Sequence, residues 1–328
     1  MDPAVRPFQP DAHSRLIPVW EAPAPDEARL GGAALWALWG HPGGVAKVAA
    51  GGTVNSRNYL VGPGPRRTLV LKRLPDGTRY RQALSVVQAV APELFPLHYA
   101  AAGAEGKRYV PEHGGFAWIL MERVPGHSFQ GDRLGELGHA VRLVLEALAK
   151  ADGAGLEVRE PMTDEEVRLL VAMNDPAIQE HLEEVLAERG RLRAVPRRPT
   201  HIDLHAHNVL VDSRGRVTFM DVDSVRLAPI PVALGYAAFK LCRQAAVARG
   251  NPAQAARRFL RRALGSAIEG ADDLIWLGAK AELLKRIAFI EAEQRRGRTE
   301  WLLDGARHRL GLEEIDRMRT DRATRRTA

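Results

Sequence analysis

Cysteine is almost absent from this chain of 328 residues, which contains a single one, Cys242. One cysteine cannot form an internal disulfide, so a disulfide-stapled fold is excluded and a reducing compartment is indicated. The surrounding stretch AAFKLCRQAAV is apolar with helical spacing. We therefore expect a buried structural thiol rather than a nucleophile.

Long apolar runs are also missing. No stretch approaches the roughly 18 residues that a membrane-spanning helix requires. The first residues, MDPAVRPFQPDAH, carry neither the basic segment nor the apolar segment of a secretory signal. We therefore predict a cytoplasmic protein with no membrane partner.

The charge balance is basic, with a formal net charge of +7 at pH 7. Part of this charge lies in the arginine-rich end RMRTDRATRRTA, a composition that is typical of a solvated terminus. For that reason we expect no nucleic-acid partner. The sequence leaves the oligomeric state open.

The length of the chain predicts two lobes, because it exceeds the usual size of one domain. Residues 1–25 are rich in proline and predict an extended arm. A strand-rich half follows over 26–123, and a mostly helical half over 124–315. A basic tail, 316–328, ends the chain.

The strand-rich half begins with a predicted helix in PDEARLGGAALWALWG, followed by three runs at 45–50, 57–61 and 68–74 that predict an antiparallel meander. TRYRQALSVVQAVAPEL then has helical spacing, and two further strand patterns follow in FPLHYAA and KRYVPEHGGFAWILMERV. Helical spacing dominates the rest, with one exception at 200–225. There two β-rich runs, NVLV and RVTFMDV, are joined by DSRG and predict a hairpin.

The segment HIDLHAHN at the start of that exception permits two interpretations. In the first, Asp203, His205 and His207 alternate on one face of a strand and bind the metal ion of a hydrolase. Such a site needs more ligands from later elements. Beyond His207, however, the chain contains one further histidine, His308.

The second interpretation rests on the asparagine at the end of the segment. The spacing of His201, Asp203 and Asn208 is that of a kinase catalytic loop, in which the aspartate accepts the proton of the attacking hydroxyl. The hairpin is predicted to bring Asn208 close to Asp221. Amide and carboxylate oxygens are ligands that Mg²⁺ accepts.

The same segment resembles the signature of the aminoglycoside phosphotransferase and choline kinase superfamily, which reads HGDLHxxN, a short hairpin, and IDF or IDW. The resemblance implies an α+β, bilobal protein-kinase-like fold with a small antiparallel-sheet N-lobe and a larger, mostly helical C-lobe. It implies an ATP-dependent phosphotransferase that acts on a small-molecule hydroxyl. The implied catalytic residues are Asp203 and His201, and Asn208 and Asp221 would hold Mg²⁺.

Three upstream stretches extend the resemblance. GGTVNSRNYLV is similar to the nucleotide-binding turn of the family, LVLKRL to the strand with a phosphate-binding lysine, and FAWILMERVPG to the hinge that bonds the adenine edge. The implied nucleotide-binding residues are Gly51, Gly52, Asn55, Lys72, Met121, Glu122 and Val124.

The sequence departs from the family pattern in the helix after Lys72. Members commonly carry REA there, with the glutamate paired to the lysine, whereas this chain has RQA with Gln82. Either Glu93 or another acid takes the glutamate's place, or Lys72 is held less firmly. A non-catalytic nucleotide-binding relative therefore stays open as an alternative, beside the metal-dependent hydrolase.

The acceptor site is expected between the catalytic loop and the helices of the C-lobe. Carboxylates there would suit a cationic acceptor. An amino sugar, an amino alcohol, a hydroxy amino acid and a sugar all remain open. Candidate lining residues are Asp223, His205, Tyr236, Glu291, Glu293 and Trp301.

Overall fold

The computed structural model describes residues 20–49, 56–62, 69–101, 106–124, 126–128, 136–204, 208–247, 251–265, 272–297, 305 and 308–316. These residues fall into two compact units. The N-terminal unit contains the described residues up to Ser128 together with 209–223. The C-terminal unit contains those of 129–208 and of 224–328.

A seven-stranded antiparallel sheet forms the main layer of the N-terminal unit, with the order β1-β2-β3-β4-β7-β5 and with β6 paired to β7. The predicted meander is confirmed as β2, β3 and β4. Part of the predicted arm forms the edge strand β1, while residues 1–19 lie outside the described residues. The strands are β1 (Trp20–Glu21), β2 (Gly44–Ala49), β3 (Arg57–Gly62), β4 (Leu69–Leu74), β5 (His98–Tyr99), β6 (Glu112–His113) and β7 (Phe116–Glu122).

Two helices flank this sheet, α1 (Pro25–Trp39) and α2 (Thr78–Val90), as the spacing predicts. The core between α1 and the strands contains Leu35, Leu71 and Trp118, all fully buried. Gly31, which weakens the helical pattern of α1, has a packing reason, since a β-carbon there would overlap the Val45 side chain on β2. The glycine lets the helix lie close to the sheet.

The predicted hairpin is confirmed as β10 (Val209–Val211) and β11 (Val217–Phe219). β10 also pairs with β8 (His127–Ser128), and the ring of Phe219 lies 6.1 Å from that of Phe95. These contacts explain why the hairpin groups with the N-terminal unit. The boundary between the units therefore falls twice within the segment 200–225, at Asn208 and at Asp223.

The C-terminal unit is mostly helical and contains one strand pair. A capping box begins the second of its helices, because the Thr163 hydroxyl accepts from the Glu166 N–H while the Glu166 carboxylate accepts from the Thr163 N–H. The helices are α3 (Leu137–Leu148), α4 (Asp164–Val171), α5 (Pro176–Ala194), α6 (Ile230–Val247), α7 (Pro252–Leu264) and α8 (Asp272–Arg295), with a further helical segment at 308–316; the strands are β9 (Arg197–His201) and β12 (Val225–Pro229).

Helices α6 and α8 approach each other closely at two glycines. A β-carbon at Gly235 would overlap the backbone of Ile275, and one at Gly278 would lie 2.6 Å from the Pro231 carbonyl oxygen. The close contact holds α6 firmly in the C-terminal unit. Within the described part of the chain, none of the helices has the length and apolar character needed to cross a bilayer.

Candidate active site

Lys72 is the centre of an ion cluster in the N-terminal unit. It lies on β4 with its side chain only 6% exposed. Its Nζ atom is 2.7 Å from Asp223 Oδ1 and 3.1 Å from Asp221 Oδ1. Both aspartates follow β11, so the hairpin brings two carboxylates to a lysine that is about 150 residues earlier in the chain.

The charges in this cluster support one another. Burial by itself lowers the pKa of Lys72, but Asp223 and Asp221 outweigh it and hold that pKa above its ordinary value. Burial raises the pKa of Asp223, and the adjacent Asp221 carboxylate raises it further, while Lys72 opposes both effects. Two carboxylates around one ammonium form a site with excess negative charge, which fits a further cation.

Helix α2 supplies an aromatic ring to Lys72. The Lys72 ammonium lies 5.2 Å from the centre of the Tyr80 ring, a cation–π distance. The Tyr80 hydroxyl is 2.7 Å from His98 Nε2. Burial lowers the pKa of His98 to about 4, so this imidazole is neutral at pH 7. One ring nitrogen donates to the Pro96 carbonyl, which leaves Nε2 to accept a hydrogen bond from the Tyr80 hydroxyl.

The acid that pairs with Lys72 comes from the hairpin rather than from α2. Gln82, at the position of the family's glutamate, makes no side-chain hydrogen bond to any residue that the structure describes. Glu93 is exposed on a short 3₁₀ helix. Asp223 therefore pairs with Lys72 where the family pattern has a glutamate of the helix.

Asp221 has an unusual backbone conformation, with φ at +60°. A residue with a side chain rarely occupies this left-handed region, although aspartate tolerates it better than most. Such strain persists where the surroundings over-determine a conformation, and it concentrates at functional sites. The conformation therefore makes Asp221 a candidate functional residue.

The second cluster lies in the C-terminal unit and is centred on Asp203. The Asn208 side-chain nitrogen donates to the Asp203 carbonyl oxygen at 2.9 Å and to Asp203 Oδ2 at 3.2 Å. The Asp203 N–H donates to Nδ1 of His201, which is fully buried at the end of β9. The predicted loop residues thus contact one another, and His201 holds the backbone beside the aspartate.

Lys240 on α6 completes this cluster, and sequence reasoning missed it. Its Nζ atom is 2.6 Å from Asp203 Oδ1, and each of the two side chains is about one-fifth exposed. The same ammonium lies 4.8 Å from the ring of Tyr236, one helical turn earlier. A lysine within the otherwise apolar run GYAAFKLC was the signal available in the sequence.

The predicted adenine-binding residues lie at the end of β7. Met121 is buried, and the Glu122 N–H donates to the Leu97 carbonyl oxygen at 2.9 Å. This N–H donor is therefore already used within the N-terminal unit. The predicted phosphate-binding residues Gly51, Gly52 and Asn55 lie outside the described residues.

The carboxylates predicted for the acceptor site have partners within the protein. Glu291 pairs with Arg295 at 3.0 Å, and the buried Glu293 pairs with Arg296 at 2.8 Å. Tyr236 is 3% exposed. His205, His207 and Trp301 lie outside the described residues.

The fold and these two clusters define a class of protein. A sheet-rich N-terminal unit bearing a buried lysine, and a helical unit bearing an aspartate and asparagine loop, form a bilobal α+β protein-kinase-like fold. Solved structures with this fold match most of the chain. A spectinomycin phosphotransferase, APH(9)-Ia, solved with ADP and spectinomycin, has a TM-score of 0.60 at 13% identity and covers 86% of this chain and 92% of its own.

Two other kinases share the fold with similar TM-scores and the same low identity. Choline kinase LicA from Streptococcus pneumoniae has a TM-score of 0.57 at 13% identity, covering 79% of this chain and 89% of its own. Amicoumacin kinase hAmiN, solved with AMP-PNP, Ca²⁺ and its ligand Ami, has a TM-score of 0.62 at 13% identity, covering 82% and 88%. Curated protein sequences contain no significant match.

The sequence itself identifies the family. Residues 45–274 match the profile of the phosphotransferase enzyme family, APH, which is most of the chain. The chain therefore belongs to this family, as the sequence resemblance predicts, and it is a small-molecule kinase. This assignment disfavours the metal-dependent hydrolase.

Proposed function

We propose that the protein transfers the γ-phosphoryl group of ATP to a hydroxyl of a small molecule, with Mg²⁺ as the divalent ion and Asp203 as the base. The observation that carries this proposal is the pairing of Asn208 with the carbonyl and carboxylate of Asp203. Phosphoryl transfer needs an aspartate that orients the attacking hydroxyl and an asparagine that offers oxygen to a metal ion.

The donor atoms of the proposed metal ligands fit Mg²⁺. The side-chain nitrogen of Asn208 is used by Asp203, so the oxygen of that amide is the atom left for a ligand. Asp221 supplies a carboxylate on a strained backbone. Oxygen donors of this kind suit a hard divalent cation, which when bound neutralises phosphate charge.

The nucleotide-binding residues act by charge and by backbone contact. Lys72, held as an ammonium by its two aspartates, binds phosphate oxygens of ATP. Met121 and the backbone of Glu122 to Val124 receive the adenine. Gly51, Gly52 and Asn55 complete the phosphate contacts in this proposal.

In the reaction, the acceptor oxygen forms a bond to the γ-phosphorus while the bond from that phosphorus to the leaving ADP oxygen breaks. Asp203 orients the hydroxyl and accepts its proton. His201 holds the backbone of the loop through the Asp203 N–H. The transition state demands little covalent work from the protein, so positioning supplies most of the catalysis.

The acceptor is an amino sugar, an amino alcohol, a hydroxy amino acid or a sugar. The structural neighbour solved with ADP and spectinomycin supports a small-molecule acceptor. The lone buried cysteine, Cys242, and the requirement for ATP support a cytoplasmic location.

Magnesium-dependent ATP consumption, measured across a panel of these four acceptor classes, tests the proposal. Asp203→Asn should lower kcat by about 100-fold or more while ATP binding is unchanged, because only the base is lost. Asp152→Asn, an exposed turn aspartate, is the matched control and should behave as wild type. Full activity of Asp203→Asn would refute the assigned base, and ATP binding without turnover across the panel would favour the non-catalytic alternative.

A further inference from the structure

Lys240 contacts the proposed base directly, at 2.6 Å from Asp203 Oδ1. We propose that Lys240 is a positioning residue for phosphoryl transfer, whose ammonium group holds the Asp203 carboxylate in the orientation that receives the acceptor hydroxyl. This inference rests on the proposed function, because Lys240 acts through the proposed base. Neither the family signature nor the spacing in the catalytic loop includes this residue.

The carboxylate of Asp203 is held on both of its oxygens. Lys240 bonds Oδ1, and the Asn208 amide bonds Oδ2 at 3.2 Å. Without Lys240 the carboxylate would lose the charged hydrogen bond to Oδ1, and its rotation about the side-chain bonds would be less restricted.

Lys240 is itself held by a rigid element. Its ammonium lies over the ring of Tyr236, and the guanidinium of Arg286 on α8 lies 5.1 Å from the same ring centre. Helix α6 is locked against α8 where Gly235 meets the backbone of Ile275. The loop aspartate therefore takes its position from a helix of the core, which preserves its geometry better than a loop contact does.

The contact concerns the orientation of the carboxylate and not the binding of nucleotide. Phosphoryl transfer through a loose transition state depends on how the attacking hydroxyl is oriented. Loss of Lys240 should accordingly lower kcat and leave ATP affinity unchanged.

The test compares Lys240→Met and Lys240→Arg with Lys150→Met, an exposed lysine at the end of α3, using the acceptor found in the panel. Lys240→Met should lower kcat by about 10- to 100-fold, as misplacement of a catalytic group does. Lys240→Arg, which keeps the charge, should recover most of the rate, and Lys150→Met should equal wild type. Lys240→Gln serves the same purpose as the methionine variant if that variant does not fold.

A double variant separates action through Asp203 from an independent effect. In an Asp203→Ala background, which removes both side-chain oxygens, Lys240→Met should cause no further loss, because its partner is already absent. Losses that multiply, or wild-type kcat in the single Lys240→Met variant, would overturn this inference and leave the proposed function intact. Full activity of Asp203→Asn would instead overturn the base assignment and this inference with it.

Discussion

Replacing Asp223 by asparagine tests whether this residue is the counter-ion of Lys72. The substitution keeps an oxygen acceptor but removes the charge that lies nearest to the ammonium, at 2.7 Å. Removing one partner of a buried ion pair costs about 3–5 kcal/mol when the other charge is left alone. Here Asp221 remains at 3.1 Å, so the relevant figure is that of one charged hydrogen bond, about 1.5–3 kcal/mol.

Two further effects move the expected value within that range. The Asp223 side chain is 27% exposed, so solvent screens the pair only in part. Burial raises the pKa of Asp223, because removing its charge from water costs free energy. A neutral asparagine does not have this cost. We therefore expect Asp223→Asn to lower the free energy of unfolding by about 1.5 kcal/mol, the lower end of the range.

Denaturant unfolding followed by tryptophan fluorescence, to which Trp118 in the same sheet contributes as a buried residue, measures this change. The matched control is Gln82→Ala, which removes the side chain at the family's glutamate position and should change stability little. Unchanged stability of Asp223→Asn would show that Asp221 alone suffices. A larger loss in Gln82→Ala would show that α2 holds the lysine, and either result would refute the reasoning.

Two other predictions concern buried polar groups of the N-terminal unit. The pKa of His98 is about 4 in the folded protein, against an ordinary 6.5, so the unfolded chain binds a proton first as pH falls. The free energy of unfolding should therefore decrease between pH 7 and pH 5. In parallel denaturant titrations, His98→Gln should reduce that decrease by about 2 kcal/mol. An equal decrease in both proteins would contradict a buried neutral imidazole. The Tyr59 hydroxyl is buried without a hydrogen-bond partner among the described residues. Tyr59→Phe should therefore raise the free energy of unfolding by up to about 1 kcal/mol. A clear loss of stability, measured by calorimetry, would instead reveal a partner of the hydroxyl.

The sequence predicted the fold well because its signals were local. The alternation of apolar residues in the meander, the helical spacing from Leu137 onward and the turn DSRG each act within a few residues. The hairpin is confirmed with Val209 opposite Phe219. Periodicity did not reveal the partner of β10, because pairing with His127–Ser128 joins residues more than 80 positions apart.

The candidate site was predictable to a smaller degree. Asp203 and Asn208 were found because a catalytic loop has a fixed spacing, and the structure brings them into contact. Glu291 and Glu293 show the opposite case, since a carboxylate in the sequence carries no sign of the arginine one turn away that pairs with it. The net charge at a site depends on which side chains are in contact in the folded protein.

The family, the catalytic spacing and the order of strands and helices could be read from the printed residues, because each depends on neighbours along the chain. The counter-ion of Lys72 and the contact of Lys240 with Asp203 could not. Asp223 lies 151 positions from Lys72, and Lys240 lies 37 from Asp203. Such pairs form because whole helices and strands pack together, and this packing produces no periodic pattern in the sequence. The same pairs determine the charge around Lys72 and Asp203.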